Sequence, residues 1–478
     1  MPVLITLATL LVIFLTVIFI RTALFKPKNQ PKPIETPENF DKDASVDALA
    51  RLVRFKTVSY RDQSLEDNKE FEDLVNELEK LYPNVYKTCT LEKFDGRGLL
   101  FKWSGKQHSD PAVFMAHYDV VPVDESGWEK PPFDAILENG VLWGRGALDT
   151  KGTLNGVLFA ANTLIEQGFI PQNDVYFAFS GSEEISGDGA PAIVDYFEKH
   201  QITPAMVLDE GGAVVENVFP GVKKPCAVIG IAEKGIIDVK FEAKSKGGHA
   251  SAPGPHTPIG TLSAACTKVE THPFKMKLSK PAKEMFDTLG RHSTLLYRII
   301  FANMWCFSPV LDLLGKKGGG EINALLRTTV AFTQAKGSPA PNVIPPSAQM
   351  VANIRLSPLD TVDSALEYLK KTVDDDDVEI SQIYGMNPSR ISTTDCEAWD
   401  KISLAVASTW QGSLVSPYLM IQCSDSRHYG RISDKVFRFC AMDLTKEERS
   451  TIHGHNERIR VECIHRTVEF YMRLMRMC

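Results

Sequence analysis

The stretch Ala112–Asp119 reads Ala-Val-Phe-Met-Ala-His-Tyr-Asp: five apolar residues, then a histidine, a tyrosine and an acid. A short apolar run without alternation is the pattern of a strand covered on both faces, as in a parallel sheet. The polar groups fall at its carboxyl end. Val175–Ser180 repeats the pattern and leads into Gly181-Ser182-Glu183-Glu184. Ala205–Leu208 repeats it again and leads into Asp209-Glu210-Gly211-Gly212. Leu137–Trp143, with the turn pair Asn139-Gly140, reads as a hairpin and leads into Gly144-Arg145-Gly146-Ala147-Leu148-Asp149. Open α/β sheets bind ligands beyond the carboxyl ends of their strands. If these strands are neighbours, His117 and several carboxylates meet at one point.

Outward from these runs, helical patterns cover 45–55, 67–81, 153–166 (with Gly168 as its stop) and about 190–199. The pattern changes near residue 235. Ile236–Ala243, Arg327–Ala335 and Gln349–Leu356 roughly alternate, as half-exposed strands do, and 378–384 reads as a fourth strand. Helices are expected near 259–270 and 361–372. The expectation is an α/β fold: a mixed, mostly parallel sheet with helices on both faces, plus an inserted α+β domain. The catalytic domain would run 36–234 and 388–478, interrupted by the insertion at 235–387.

The chain has 478 residues, 44% of them hydrophobic, enough for more than one compact unit. Its formal net charge is -7, with no long basic run, so nucleic acid is not an expected partner. Nine cysteines are scattered without a CxxC pair, which argues against a disulfide framework. Residues 3–20 carry no charge and approach the length of a membrane-crossing helix. Basic residues Arg21, Lys26, Lys28 and Lys32 and a Pro-rich stretch follow. Residues 1–35 therefore read as a single-pass membrane anchor and linker, or as a cleaved signal segment leaving a secreted or lumenal enzyme. A further apolar stretch, 295–314, has two readings: packing within the inserted domain or at a dimer contact, and a surface for an acyl chain or a membrane.

Several carboxylates in one crevice repel one another and lose solvation, so a positive group must offset them. Imidazole together with carboxylate suits Zn²⁺ with an open position for water. The chain has no HExxH, GxSxG or P-loop motif, and Gly144-x-Gly146 lacks the third glycine of the dinucleotide fingerprint.

Taken together, His117-Tyr118-Asp119-Val120-Val121-Pro122, Gly144–Gly152, Ser182-Glu183-Glu184 and Leu208-Asp209-Glu210-Gly211 resemble the M20 family of metallopeptidases. The resemblance covers about 45–478. The segment 275–325 and Ser424-Asp425-Ser426-Arg427 resemble in particular the carboxypeptidase S and N-fatty-acyl-amino-acid synthase/hydrolase group. The resemblance implies a zinc-exopeptidase-like fold whose insertion serves as lid and dimerisation domain. It implies two Zn²⁺ ions, with Co²⁺ or Mn²⁺ as possible substitutes. His117, Asp149 and Asp209 would hold one ion; Asp149, Glu184 and His453 would hold the other, with His455 as a rival to His453. Asp119 would orient His117, Glu183 would be the general base for a metal-activated water, and a cis peptide would follow Asp149. His249 would reach the site of a partner subunit in a homodimer, and Asn342 and Arg355 would bind a substrate carboxylate. The implied function is hydrolysis of an amide next to a free carboxylate, either a C-terminal peptide bond or an N-acyl amino acid. Reversible fatty-acyl amino acid synthesis is the alternative. A non-catalytic, membrane-anchored binding homologue is a third reading, disfavoured by the completeness of the site.

Overall fold

The computed structural model describes residues 1–217 and 219–478. In chain order the main strands are β1 (Thr90–Phe94), β2 (Gly98–Trp103), β3 (Gln107–His117), β4 (Asn173–Ser180), β5 (Met206–Val215) and β6 (Cys226–Glu233). Then come β7 (Gly235–Lys244), β8 (Thr329–Lys336), β9 (Ser347–Leu356), β10 (Val378–Met386), β11 (Leu414–Met420) and β12 (Val436–Leu444). Eight of them form one sheet in the order β1-β2-β4-β3-β5-β12-β6-β11. Pairing is parallel through the central run β4-β3-β5-β12. It is antiparallel at β1–β2, β2–β4 and β12–β6. The fold is therefore α/β with a mixed, mostly parallel sheet.

Both faces of that sheet are covered, which is why its strands read as unbroken apolar runs. Phe114 and Phe177 belong to a core shared with helices Lys151–Glu166 and Val461–Met475. Their neighbours Val113, Met115 and Tyr176 point the other way, into a core with helix Gly189–Lys199. Helix Lys151–Glu166 is buried nearly all round rather than along one stripe. Gly156 lets it approach helix Val461–Met475: a Cβ there would stand 2.5 Å from the Thr467 methyl.

The remaining four long strands form a second, wholly antiparallel sheet in the order β8-β9-β7-β10. Helices Pro258–Thr271 and Val362–Val373 bury one of its faces. The alternation seen in these strands matches a sheet with one face left to solvent.

The segment between β7 and β8 does not stay with this small sheet. Helix Lys280–His292 packs on the large sheet, and Met285, Phe286, Leu289, Phe301 and Leu326 share a core with Phe219, Val228, Leu419 and Met442. The apolar stretch 295–314 packs against helices Lys280–His292 and Gly320–Leu326 of the same inserted segment, and through them on the large sheet rather than the small one. Its helices Leu295–Ala302 and Met304–Gly318 meet at a 109° bend and lie beside the N-terminal helix Pro2–Leu24. That helix is long and apolar enough to cross a membrane, with mean hydropathy 3.0, and buries Ile18 and Thr22 against the bend.

Candidate metal centre

Strands β4, β3 and β5 are neighbours, so their carboxyl ends bring His117, Glu183-Glu184 and the Asp209-Glu210 pair together. Two loops close the group. Asp149 sits just before helix Lys151–Glu166, and its peptide bond to Thr150 is cis. His453 lies in the turn before the short strand Arg458–Arg460, which pairs with Val141–Trp143. The two loops are tied by a buried ion pair. The Arg145 guanidinium donates to Glu457 at 2.7 Å and to the Gly454 carbonyl at 2.8 Å. Glu457 in turn accepts the backbone N–H of Leu148 at 2.8 Å and of Asp149 at 3.2 Å.

Asp149 divides its two carboxylate oxygens. One lies 3.0 Å from His117 Nε2 and the other 3.0 Å from His453 Nε2. His453 Nε2 is also 3.1 Å from Glu184. On the other side His117 Nε2 lies 3.7 Å from Glu210. His117, Asp149 and Glu184 offer ligand atoms within one ion's reach, as do His117, Glu183 and Glu210. Asp119 is fully buried behind them. Its carboxylate is 3.3 Å from His117 Nδ1, leaving Nε2 to face the group, and accepts the Glu183 and Glu184 N–H groups at 3.1 Å each. Ser59 donates to it at 2.7 Å.

The second acid expected from β5 is corrected by the structure. Asp209 does not join the cluster; its carboxylate accepts the Ser426 N–H at 2.9 Å. Glu210 takes the place. The ladder between β5 and β12 steps from Asp209↔Arg438 to Gly212↔Phe439, leaving Glu210 and Gly211 unpaired. That irregularity turns Glu210 toward His117. Gly211, at φ 147°, permits it, since a Cβ there would stand 2.7 Å from that of Arg438. The rivalry between the two C-terminal histidines is resolved as well: the His455 ring lies over Gly127, away from the carboxylates.

The electrostatics are those of an unbalanced anion cluster. Burial alone would push His117 down, yet Glu210, Asp119 and Asp149 hold it well above its ordinary range. Hydrogen bonds that its ring donates to the Asp149 and Glu184 carboxylates raise His453 to about 10. Burial, then the negative charges of Asp425 and Glu184, lift Glu183 well above the ordinary carboxylate range, against the pull of His117. Burial and Asp149 lift Glu210 in the same way. Asp149 alone is lowered, against its burial, by the two histidines. Behind the cluster Asp425 is buried with neither carboxylate oxygen hydrogen-bonded, and burial raises it to about 7. An excess of buried carboxylate around two imidazoles is the donor set of a cation site.

The cluster opens into a cavity of about 450 Å³. Part of its wall, an apolar limb, is formed by Val215, Met285, Leu325, Met420, Met442 and Leu444, beside polar Glu321, Gln422 and Arg449. Arg355, at the end of β9, reaches Cys423 on the cavity wall at 3.6 Å and donates from Nε to the Asn353 side-chain oxygen at 3.2 Å. His249 and Asn342 are not brought to the cluster within the chain. They lie together and exposed on the ribbon formed by Gly248–His249 and Val343–Ile344, where Ala250 N–H donates to the Asn342 carbonyl at 3.0 Å. A larger cavity of about 840 Å³ lies elsewhere and contains none of the cluster residues; Arg460 and Arg473 in its wall are already ion-paired with Asp443 and Glu469.

This geometry is that of residues able to hold cations at the strand ends of an α/β sheet. Residues 113–477 match Peptidase family M20/M25/M40, and the chain belongs to that family. It is 34% identical to probable carboxypeptidase S-like 2 of Dictyostelium discoideum, over 98% of this chain and 92% of that one. It is 33% identical to the N-fatty-acyl-amino acid synthase/hydrolase PM20D1 of Xenopus tropicalis, over 97% and 93%. The fold matches the M20 family metallo-carboxypeptidase Sso-CP2 from Sulfolobus solfataricus with a TM-score of 0.66 at 19% identity, covering 91% of this chain and 98% of that one. Human carnosine dipeptidase 1 matches with a TM-score of 0.63 at 16% identity, over 91% and 96%. The chain is thus an enzyme of a metallopeptidase family.

Proposed function

We propose that the protein is a two-zinc amidohydrolase that cleaves N-acyl amino acids bearing a long apolar acyl group and a free carboxylate. The observation that carries this reading is the cavity. Its lining joins Asp149, Glu183, Glu184, Glu210 and His453 to an apolar wall and to Cys423, which the Arg355 guanidinium reaches at 3.6 Å. The activities for which the carboxypeptidase S-like and synthase/hydrolase relatives are named share one requirement, an amide beside a carboxylate. A C-terminal peptide with an apolar residue before the scissile bond fits the same limb and is the second reading.

His117, Asp149 and Glu210 would hold one ion, and Asp149, Glu184 and His453 the other, with Asp149 shared. Zinc suits this donor set, and Co²⁺ or Mn²⁺ would substitute. When bound, the ions supply Lewis acidity at the scissile carbonyl and offset the crowded carboxylates. The remaining work falls to the chain. Glu183, made proton-avid by its surroundings, takes a proton from the attacking water and returns it to the leaving nitrogen. Asp119 fixes the His117 ring and, through two backbone N–H groups, the turn that carries Glu183. Arg355 grips the substrate carboxylate as a fork. His249 and Asn342, exposed on their ribbon, serve the cavity of a second copy in a homodimer. There His249 donates to the oxygen that gains charge. The same residues run the condensation when acid and amino acid are plentiful, since each step is reversible. The N-terminal helix holds the enzyme to a membrane.

The test compares N-oleoyl-phenylalanine with a blocked dipeptide, using zinc-loaded protein and Glu183→Gln as control. Turnover of the acyl amino acid supports the first reading. Turnover of the dipeptide alone replaces it with a carboxypeptidase. No turnover of either, with no zinc bound, removes both.

A further inference from the structure

We propose that the elbow of helices Leu295–Ala302 and Met304–Gly318 is a membrane-embedded surface. Together with the N-terminal helix it would seat the catalytic body on a lipid bilayer, next to the cavity's apolar limb. The part concerning substrate delivery rests on the acyl-substrate reading above; the docking itself does not.

The first argument is exposure. Leu295, Leu296, Trp305, Val310, Leu313 and Leu314 are all exposed, Leu296 by 67% and Leu314 by 59%. Six large apolar side chains on one short segment form a patch that a water-facing surface rarely carries. The second argument is continuity with a helix whose composition fits a bilayer. Arg21 Nε donates to the Ala302 carbonyl at 3.2 Å, and Asn303 Nδ2 donates to the Ile18 carbonyl at 3.3 Å and to Thr22 at 3.2 Å. The Trp305 and Phe14 rings meet edge to face at 5.8 Å. The elbow therefore abuts the carboxyl-terminal half of the N-terminal helix, at the level where that helix would leave the hydrocarbon.

The third argument is geometry. Met304–Gly318 has 15 residues, about 22 Å at ~1.5 Å per residue, short of a ~30 Å hydrocarbon core. With the 109° bend it lies in the interface rather than crossing it. Such a bend is tolerated in an apolar setting only if its polar groups are satisfied within the protein. Asn303 does this: its side chain also donates to the Ile299 carbonyl at 2.9 Å, and its own carbonyl accepts the Cys306 and Phe307 N–H groups at 3.0 and 3.1 Å. The fourth argument is charge. Exposed Lys317 closes the elbow and exposed Lys26 follows the N-terminal helix, which suits an anionic headgroup layer, while the neighbouring Lys316 and Lys28 pair with Asp312 and Asp287. The next helix, Gly320–Leu326, supplies Ile322 and Leu325 to the cavity wall. An apolar chain leaving the bilayer beside the elbow would thus meet the apolar limb directly.

The experiment uses the full chain in phosphatidylcholine/phosphatidylserine vesicles, with and without brominated acyl chains. Emission from Trp305 is isolated by difference against Trp305→Phe. Quenching of that component by bromine is the expected result. A Trp305 component that bromine leaves unquenched overturns the proposal; if Leu313→Glu/Leu314→Glu then also splits a dimer, the elbow is a contact between copies. In parallel, Leu313→Glu/Leu314→Glu should raise KM for vesicle-borne N-oleoyl-phenylalanine by about tenfold, the effect of losing roughly one buried leucine's transfer energy. KM for a water-soluble short-chain N-acyl amino acid should stay unchanged. Quenching without any acyl amino acid turnover sinks the substrate reading and leaves the docking standing. Turnover without quenching does the reverse.

Discussion

The cluster around His117 and the elbow around Asn303 depart from the ordinary distribution of polarity in opposite directions. In the cluster, Asp119, Glu183, Glu184, Glu210 and Asp425 crowd carboxylates into a region where burial lifts several of their pKa values. At the elbow, leucines and a tryptophan stand in the open. Each arrangement is unfavourable for the chain alone, and each becomes favourable when something from outside supplies what is missing. For the cluster that is positive charge, and for the elbow it is hydrocarbon. They also differ in how they are held. The cluster is fixed from three strand ends and two loops by charged hydrogen bonds, as catalysis demands. The elbow rests on one asparagine and on apolar packing, which is enough for a surface that must only face the right way.

If the cluster's cost is accepted for chemistry, removing its base should expose the trade. Glu183→Gln should lower kcat by about 10³-fold or more, at the upper end of general-base effects. It should also raise the melting temperature of the metal-free protein, because one buried charge is gone. A melting temperature that falls would show that Glu183 is structural.

Next in size is the distinction between the two acids of β5. Glu210→Gln should cost about 100-fold or more in affinity for one of the two ions. Asp209→Asn, which touches only the support behind, should cost about tenfold, within the range of outer contacts to a metal site. Equilibrium dialysis with zinc measures both. The reverse order would return Asp209 to the ligand set and contradict the bulge that turns Glu210 inward.

A third test asks whether the cluster is complete within one chain. His249→Ala and Glu183→Gln should each be nearly inactive. Mixed one to one after subunit exchange, they should recover about a quarter of wild-type activity. Half the dimers are then mixed, and each has one site with both its own Glu183 and the partner's His249. No recovery would confine His249 to its own chain.

The strand ends were legible because a parallel sheet, covered on both faces, writes each strand as an unbroken apolar run with its ligands just beyond. The small sheet was legible from its alternation. The position of Glu210 was not, since a bulge leaves no trace in periodicity: Asp209 and Glu210 are adjacent, and only the ladder with β12 decides which faces His117. The Arg145–Glu457 pair was equally hidden, because its members lie 312 residues apart and Glu457 belongs to no motif read from the sequence. Segment 295–314 showed its apolar character but not its partner. Helical periodicity gives a buried face without naming what buries it, and here the large sheet, not the neighbouring small one, does so.

The smallest expected effect lies where the two regions meet. Lys234, just past β6, is buried, and its ammonium donates to the Ala324 carbonyl at 2.9 Å and the Arg327 carbonyl at 2.8 Å, tying the helix that follows the elbow to the catalytic sheet. Burial, and then the nearby Arg355, lower its pKa from 10.5 to about 7. Between those values the unfolded chain holds a proton that the folded chain has released, so raising the pH removes a penalty and stability rises through the window. Below about 7 both states are protonated and the contribution is flat. One such proton sets a slope of at most about 1.4 kcal/mol per pH unit. Lys234→Met should be less stable near pH 10, having lost two hydrogen bonds, yet its stability should rise less steeply from pH 7 to 10 than that of the wild type in urea unfolding. An unchanged slope would mean that Lys234 keeps its proton in the fold. The junction would then be held by a charged lysine, the same device that orders the cluster, rather than by burial of the kind that shapes the elbow.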